Sequence, residues 1–305
     1  MLNLSIMIYI GLALLGLCLG SFVNALVWRI HEQQVNQEEL DKLLAVKRQS
    51  KASKVEIKNR QDSLKLLSIS KGRSMCTDCR HTLAWFDLLP VLSWLCTGGR
   101  CRYCHKRVSA QYPIVELLSA VAFIGSYAYW PVAVQGMQEV VFGLWLIILT
   151  GLIALTIYDA RWYILPNRII FPSIVTAILS SCLVVAHSHR PLIALGNVVA
   201  AVLVGGGIFH VLYVYSDGRW IGGGDVKLGW LLGLLVATPA RSLLVIFLAA
   251  ILGCIAALPL LISKRLKATS EIPFGPFLII AGVAVVFFGA SMLHWYQKIF
   301  LPVTL

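Results

Sequence analysis

Long apolar runs separated by short polar segments dominate this chain. A helix needs about 20 mostly apolar residues to cross a bilayer, and we read about eight such runs. They cover residues 4–28, 112–130, 140–158, 169–186, 192–215, 225–237, 242–262 and 274–295. The sixth run is short for a span, so a tilted, buried or partly re-entrant helix would suit it. The pattern predicts an all-α polytopic membrane protein.

The composition agrees with a membrane class. Hydrophobic residues make up 58% of the chain and charged residues 13%, and the mean hydropathy is +0.80. Soluble domains are about half apolar and about a quarter charged. The first run is longer than the apolar core of a signal peptide and no basic segment precedes it, so we expect it to remain as a helix.

The net charge of +12 first suggests a nucleic-acid partner, but its distribution along the chain argues against one. If the N-terminus faces outward, 23 of the 26 Lys and Arg residues fall in cytoplasmic segments, and the exceptions are Arg190, Arg241 and Lys298. This asymmetry is the positive-inside pattern of membrane proteins. We therefore expect the lipid bilayer as the surrounding partner, with the N-terminus outside, and no nucleic acid.

A cytoplasmic insertion separates the first and second apolar runs. Residues 31–72 are polar, and their leucines are spaced as in one or two amphipathic helices, which would lie on the membrane surface or form a solvated connector. Residues 73–110 are rich in Gly, Pro, Trp and Cys and predict a small folded module. The domain division is thus 1–30 for the first span, 31–72, 73–110, and 111–305 for the main membrane domain.

Two C-x-x-C knuckles lie in the small module. Their cysteines are Cys76, Cys79, Cys101 and Cys104. The spacing is close to that of four-thiolate zinc sites, and a metal would stabilise a segment too small for a large core. Free thiols or a disulfide pair are the alternatives, although a cytoplasmic location disfavours disulfides. His81, His105 and Cys96 lie nearby but are not needed for four ligands.

Two aspartates mark the ends of apolar runs. Asp159 closes the third run and Asp225 opens the sixth, and both fall on the predicted cytoplasmic side. An ionisable group at the edge of the hydrocarbon region is costly and therefore marks a candidate functional site. Two carboxylates that share a water molecule can divide the work of base and acid, because like charges held close separate their protonation states.

Helix polarity suggests a division of roles within this pair. Asp225 is expected at a helix N-terminus, where the helix dipole favours the anion, and Lys227 adds positive charge nearby. Asp159 is expected at a helix C-terminus, where the anion is disfavoured. We therefore hypothesise that Asp225 starts as the base and Asp159 as the acid. A simple helix cap is the alternative for Asp225 taken alone, and Asp217, beside Gly218, has the sequence context of a solvated turn.

Three consecutive glycines, Gly222, Gly223 and Gly224, precede Asp225. Glycine permits unusual backbone angles and close approach of another chain. With Lys227, these glycines are candidates for a flexible edge along which an extended peptide substrate could lie beside the carboxylates.

The aspartates occur together with several other short motifs. In chain order these are Gly20–Asn24 with Arg29, Arg73–Cys79, Pro90–Leu95, Tyr112–Glu116, Asp159 with Leu165–Asn167, Gly222–Leu228 and Pro273–Phe277. Taken together, they resemble the motifs of the type IV prepilin peptidase family, which are bacterial intramembrane aspartic proteases of the GxGD type. The resemblance covers most of the chain.

The resemblance implies a function and a location. Family members remove the basic leader peptide of type IV prepilins and pseudopilins at the cytoplasmic face of the bacterial inner membrane. Many also N-methylate the new N-terminal residue with S-adenosylmethionine, and they serve pilus assembly, type II secretion or DNA uptake. By this resemblance, Asp159 and Asp225 are catalytic and the four module cysteines bind structural zinc.

The chain departs from the family pattern at three places. Thr77 replaces a common proline, Asn167 stands where aspartate is frequent, and the insertion at 31–72 is longer than usual. The methyltransferase function rests on the cysteine module, since the sequence has no glycine-rich cofactor loop of the dinucleotide type. Asn24 and Glu116 are candidates for a polar pocket near the module, and a helix-end hydrogen bond is the alternative for each.

Other functions compete with this interpretation. A peptidase without methyltransferase activity is the main alternative. An ion-coupled transporter would also carry intramembrane carboxylates, but it would place them near the midplane of a repeated fold. A non-enzymatic assembly scaffold would leave both aspartates unexplained.

Overall fold

The computed structural model describes residues 2–45, 51–69, 72–262 and 272–300. Over this part of the chain the regular structure is helical, apart from isolated β-bridges that pair Met75 with Thr82 and Arg100 with Arg107. Its ten α-helices are α1 (Leu2–Ala45), α2 (Lys51–Leu66), α3 (Leu92–Cys96), α4 (Gln111–Ala128), α5 (Met137–Trp162), α6 (Asn167–Ala186), α7 (Pro191–Tyr215), α8 (Gly223–Val236), α9 (Pro239–Ile262) and α10 (Gly275–Phe300). The all-α prediction is confirmed.

Six helices of the described chain are long and apolar enough to cross a membrane, namely α1, α5, α6, α7, α9 and α10. The two remaining predicted spans fall on α4 and α8, which have 18 and 14 residues. Since a perpendicular crossing needs about 20 residues, α8 is too short to span by itself. This length agrees with the expectation that a tilted, buried or partly re-entrant helix would suit the sixth run.

The chain folds as two compact units, Met1–Tyr127 and Ala128–Leu305. In the first unit, α1 continues well beyond the predicted first span, and α2 folds back against it. Arg60 of α2 forms an ion pair with Glu39 and donates a hydrogen bond to Oδ1 of Asn36 at 2.9 Å. Gln33 donates to the carbonyl of Leu67 at 2.8 Å. The described part of the polar insertion is thus a helical hairpin.

Helices α1 and α4 pack antiparallel in the same unit. Their facing pairs are Tyr9 with Tyr127, Gly16 with Ala120, Gly20 with Glu116, and Asn24 with Tyr112. Gly16 and Gly20 form a G-x-x-x-G motif, which lets apolar helices approach closely. A Cβ atom at Gly16 would lie 2.6 Å from the Cα of Ala120, and one at Gly20 would lie 2.7 Å from the Cα of Glu116. The sequence analysis did not identify this contact.

The second unit is a helical bundle in which α5 is the most buried of the candidate spans. Half of the most apolar stretch of α5 is buried, against 17–33% for the other candidate spans. Helix α5 packs against α6 and α10, and α7 packs against α8 and α9. Backbone contact between α7 and α8 is close because Gly205 faces Gly229, and the Trp230 ring lies on Gly206. Helix α8 is short, and this packing holds it against α7 while it also contacts α6, α9 and α10.

Candidate functional site

Asp159 lies in the last turn of α5. The helix ends at Tyr163, which has left-handed backbone angles and donates its N–H to the carbonyl of Asp159 at 2.9 Å. The side chain of Asp159 is buried, and its Oδ2 accepts the backbone N–H of Gly275 at 3.1 Å. Gly275 is the first residue of α10. The carboxylate therefore sits at the N-terminus of a second helix as well as at the C-terminus of its own.

This arrangement changes the argument from helix polarity. The N-terminus of a helix favours a nearby anion, so α10 offsets the unfavourable effect of the α5 C-terminus on Asp159. The sequence-based assignment of Asp159 as the initial acid considered α5 alone. That assignment left out the N-terminus of α10. Which aspartate starts as the acid and which as the base therefore stays a prediction.

Asp225 lies in the first turn of α8, as predicted. Its backbone N–H donates to the carbonyl of Gly222 at 3.0 Å, and its side chain is half-buried. The charge of Asp159 acts on Asp225 across the bundle. The tertiary structure thus brings together two carboxylates that are separated by more than sixty positions in the chain.

The glycines before Asp225 do not have the unusual backbone angles that the sequence suggested. Gly222 is extended, with φ −71° and ψ 145°, and Gly223 and Gly224 begin α8. None of these three has positive φ, so the expectation of unusual backbone angles is wrong. Gly224 instead permits close packing, since a Cβ there would lie 2.9 Å from the Cβ of Leu165.

Neighbouring positions in this motif are less constrained. A Cβ at Gly223 would meet the Tyr213 ring at 3.6 Å, and one at Gly222 would meet Oδ2 of Asp225 at 3.6 Å. Both distances are ordinary van der Waals contacts. Asp217 lies in an exposed turn with φ 50°, as expected for a residue outside the site.

Lys227 ties α8 to the start of α6. Its Nζ donates to Oδ1 of Asn167 at 2.7 Å and lies 5.4 Å from the centre of the Phe171 ring. The Leu165–Asn167 segment is therefore held against the first turn of α8 both by this bond and by the contact with Gly224. Lys227 carries a positive charge two residues beyond Asp225, and its ammonium group is bonded to a neutral amide.

The four module cysteines converge. The Sγ atoms of Cys76, Cys79, Cys101 and Cys104 all lie within 4.8 Å of one another. A tetrahedral zinc site with Zn–S bonds of about 2.3 Å has sulfur atoms about 3.8 Å apart. The Sγ atoms of Cys76 and Cys104 are 3.9 Å apart, so the cluster could hold a zinc ion.

The two knuckles have the same local geometry. The residue after the second cysteine is left-handed in both, with φ 55° at Arg80 and 58° at His105. Each of these residues donates its N–H to the carbonyl of the first cysteine of its knuckle, at 3.0 and 2.9 Å. Burial raises the pKa of the Cys76 thiol to about 12. A bound cation would offset that effect because zinc binds the thiolate.

Polar contacts join the knuckles to each other. Lys106 forms an ion pair with Asp78 at 2.9 Å, and this hydrogen bond raises the pKa of Lys106. The His81 ring stacks on the Tyr103 ring with centroids 3.7 Å apart, which gives His81 a packing role. Cys96 is exposed and lies outside the thiol cluster. The structure therefore agrees with four cysteine ligands and no histidine.

Fold and site together define a class. The chain is an all-helical membrane protein in which two aspartates from different helices interact electrostatically, and its first unit carries a four-thiol module. Residues 14–130 match the model of the bacterial peptidase A24 N-terminal domain, and residues 146–258 match that of the type IV leader peptidase family. The chain belongs to the type IV leader peptidase family, which confirms the resemblance seen in the sequence.

Curated relatives cover most of the chain. A type 4 prepilin-like proteins leader peptide-processing enzyme from Escherichia coli is 31% identical over 90% of this chain and 92% of its own length. Prepilin leader peptidase/N-methyltransferases from Aeromonas hydrophila and Bacillus subtilis are 30% and 28% identical. They cover 75% and 76% of this chain, and 76% and 88% of their own lengths. No solved structure matches.

Sequence reasoning missed Gly275 as a partner of Asp159. The Pro273–Phe277 motif was identified, but nothing in it shows which group its backbone meets. Leu165 was likewise part of a motif without an assigned contact. Gly275 itself could have indicated the contact, because a glycine at the start of a long apolar helix often permits close approach of another group.

Replacing one cysteine ligand tests the metal centre. In Cys76→Ser, we expect the zinc content of the purified protein to fall from about one ion per chain to well below half, because a structural zinc site needs four ligands. Metal analysis by mass spectrometry measures this content. Cys96→Ser is the matched control and should retain zinc; equal zinc in both variants would contradict the four-cysteine site.

Gly275→Ala tests the contact with Asp159. The added Cβ would lie 2.6 Å from Oδ2 of Asp159, so the carboxylate must move. Since displacing a catalytic group by about 1 Å can cost about a hundredfold in rate, we expect a loss of that order in the peptidase activity of membranes. Gly207→Ala is the control because no atom lies within 4 Å of its Cβ. Near-normal activity in Gly275→Ala would disprove the contact.

Gly224→Ala and Gly223→Ala form a second matched pair. The clash with Leu165 at position 224 should shift the first turn of α8 and lower peptidase activity by at least about tenfold. Position 223 has room for a methyl group beside the Tyr213 ring, so Gly223→Ala should lose less activity than Gly224→Ala, although both positions lie on the candidate substrate edge. Turnover of a common substrate at matched expression compares the two, and equal losses would show that the contact does not discriminate between these positions.

Proposed function

We propose that this protein is a membrane-embedded aspartic endopeptidase that removes the leader peptide of type IV prepilins and pseudopilins and N-methylates the new N-terminal residue. The observation that carries the proposal is the meeting of Asp159 and Asp225 at the ends of α5 and α8. The names of the relatives support the substrate class and the second activity.

The aspartate pair supplies what peptide hydrolysis needs. An ionised carboxylate removes a proton from water, and the water oxygen bonds to the scissile carbonyl carbon. The protonated carboxyl group of the other aspartate donates to the carbonyl oxygen. The C–N bond then breaks, the amine leaves with a proton, and a new carboxyl group forms. The pair titrates as one unit, so the proposal assigns the chemistry to the pair.

Three features near the pair favour this reaction. The Gly275 N–H holds the Asp159 carboxylate in one orientation at 3.1 Å. The side-chain-free segment Gly222–Gly223 lies directly before Asp225, where an extended substrate strand needs access to the carboxylates. Lys227, fixed by Asn167, adds a positive charge at this edge.

The first unit is proposed to serve methyl transfer. The module at 73–110 would hold structural zinc through its four cysteines, and the insertion at 31–72 connects it to the first span at 1–30. S-adenosylmethionine, when bound, supplies a methyl group on a positively charged sulfur. The second unit, which contains helices α5 to α10, would form the peptidase domain. A peptidase that lacks methyl transfer is the alternative within the family.

Location and partners follow from the same proposal. The positive-inside distribution of Lys and Arg supports a multi-pass protein of the bacterial inner membrane, with the N-terminus outside and the aspartates on the cytoplasmic side. Pilus or secretion assembly machinery would receive the processed subunits. The basic leader of a prepilin would then remain in the cytoplasm while its apolar helix enters the bundle from the bilayer.

Cleavage of a model prepilin tests the proposal. Membranes carrying Asp159→Asn or Asp225→Asn should each lose leader removal by at least about a hundredfold, because each carboxyl group is essential to proton transfer. Asp217→Asn, at an exposed turn, is the matched control and should cleave normally. Mass spectrometry of the product reads leader loss and methyl gain separately.

The outcomes separate the candidate functions. A wild-type product that lacks the leader and carries one methyl group supports both activities. Leader loss without the methyl group supports the peptidase alone. Cleavage that survives in either site variant would overturn the aspartate-pair mechanism.

A further inference from the structure

The first unit contains a buried carboxylate without a cationic partner. Glu116 on α4 is 6% exposed. Its Oε2 accepts the N–H of Val91 at 2.7 Å, and the hydroxyl of Ser21 also hydrogen-bonds to it. Among the described residues, Glu116 takes part in no ion pair. Burying a negative charge in this way is costly. The buried carboxylate of Glu116 is therefore a candidate for a functional role.

Glu116 holds a strained piece of backbone. Val91 has φ 61° and ψ −49°, and the N–H of Leu92 donates to the carbonyl of Pro90 at 2.5 Å. This is a γ-turn of the rare form with positive φ, and it is costly for a β-branched residue. Such strain persists only where the surroundings enforce it, and it concentrates at ligand-binding and active sites. The bond from Val91 to Glu116 is the enforcing contact.

A second buried acceptor lies one helical turn away. Asn24 is 3% exposed, and its Nδ2 donates to the carbonyl of Tyr112 at 3.1 Å. Its Oδ1 is buried and has no hydrogen-bond partner among the described residues. In the antiparallel pairing of α1 and α4, Asn24 faces Tyr112, whereas Gly20 faces Glu116. The free oxygen and the carboxylate therefore lie at successive turns of one helix interface.

An unused acceptor and an uncompensated carboxylate define the ligand chemistry. Both groups accept hydrogen bonds and one is negative, so the complementary ligand is an organic cation with N–H donors. We propose that Asn24 and Glu116 form a binding site for such a cation, and that in the proposed N-methylation it holds the methyl donor by its positive charge. This inference rests on the proposed function, but it concerns the first unit and not the aspartate pair.

Glu116 has a structural role as well, and the substitution Glu116→Gln separates the two roles. A glutamine oxygen still accepts the N–H of Val91, so the turn survives while the negative charge is lost. Glu38→Gln makes the same change at an exposed position of α1 and is the matched control. Asn24→Ala removes the free oxygen together with the Nδ2 group that donates to the carbonyl of Tyr112, so the melting temperature of this variant is measured beside its binding.

The experiment measures binding by calorimetry on the purified full chain. The probes are S-adenosylmethionine, whose sulfur is positive, and S-adenosylhomocysteine, whose sulfur is neutral. Wild type and Glu38→Gln should bind the positive probe at least about tenfold more tightly, because a charge pair in a partly buried site is strong. Glu116→Gln should abolish this preference. Asn24→Ala should weaken binding of both probes at a temperature where its melting curve shows that the protein is still folded.

A second arm distinguishes the methyl donor from the peptide amine as the bound cation. If the site holds the amine, Glu116→Gln keeps the probe preference but raises the KM for methylation of a synthetic, already processed N-terminal peptide at least about tenfold, which supports the cation site and assigns it to the peptide. Unchanged preference together with unchanged KM in Glu116→Gln would overturn the inference. Leader removal and zinc content, measured on the same samples, report the proposed peptidase function and the fold independently.

Discussion

Every part of the second unit is arranged around two carboxyl groups in an apolar bundle. A charge in such surroundings is tolerated only where partners exist, and the partner of Asp159 is the first backbone N–H of α10. Asp225 obtains a comparable setting from the first turn of its own helix. The end of α5, the start of α8 and the start of α10 must therefore meet at one place, and the rest of the bundle holds them there.

Close packing of small residues provides that support. Apolar helices in a bilayer gain little from the hydrophobic effect on association, so van der Waals contact must hold them together. Gly205 and Gly229 allow backbone contact between α7 and α8. Gly224 allows Leu165 to pack against the first turn of α8. The same physics appears in the first unit, where Gly16 and Gly20 join α1 to α4. Activity and stability thus depend on the same type of residue.

The first unit solves a different problem, because its module is too small for a large hydrophobic core. Four thiols within 4.8 Å of one another, an ion pair between the knuckles and a ring stack supply its cohesion. Its neighbouring loop stores strain at Val91, held by Glu116 of a membrane helix. The module and the helix pair are thereby coupled through a single buried carboxylate, which gives the methyl-transfer proposal a physical location.

The sequence by itself determined the helical membrane class, the two aspartates, the four cysteines and the family, because hydropathy, costly ionisable groups and ligand spacing are local properties of the chain. It also marked the glycines before Asp225, but it could not show that Gly224 packs against Leu165, and none of the three has the positive φ that it suggested. Only the tertiary structure decided that Gly275 contacts Asp159, that α10 offsets the polarity of α5, and that Glu116 holds Val91. Those contacts join residues far apart in the chain, and their geometry depends on how whole helices pack.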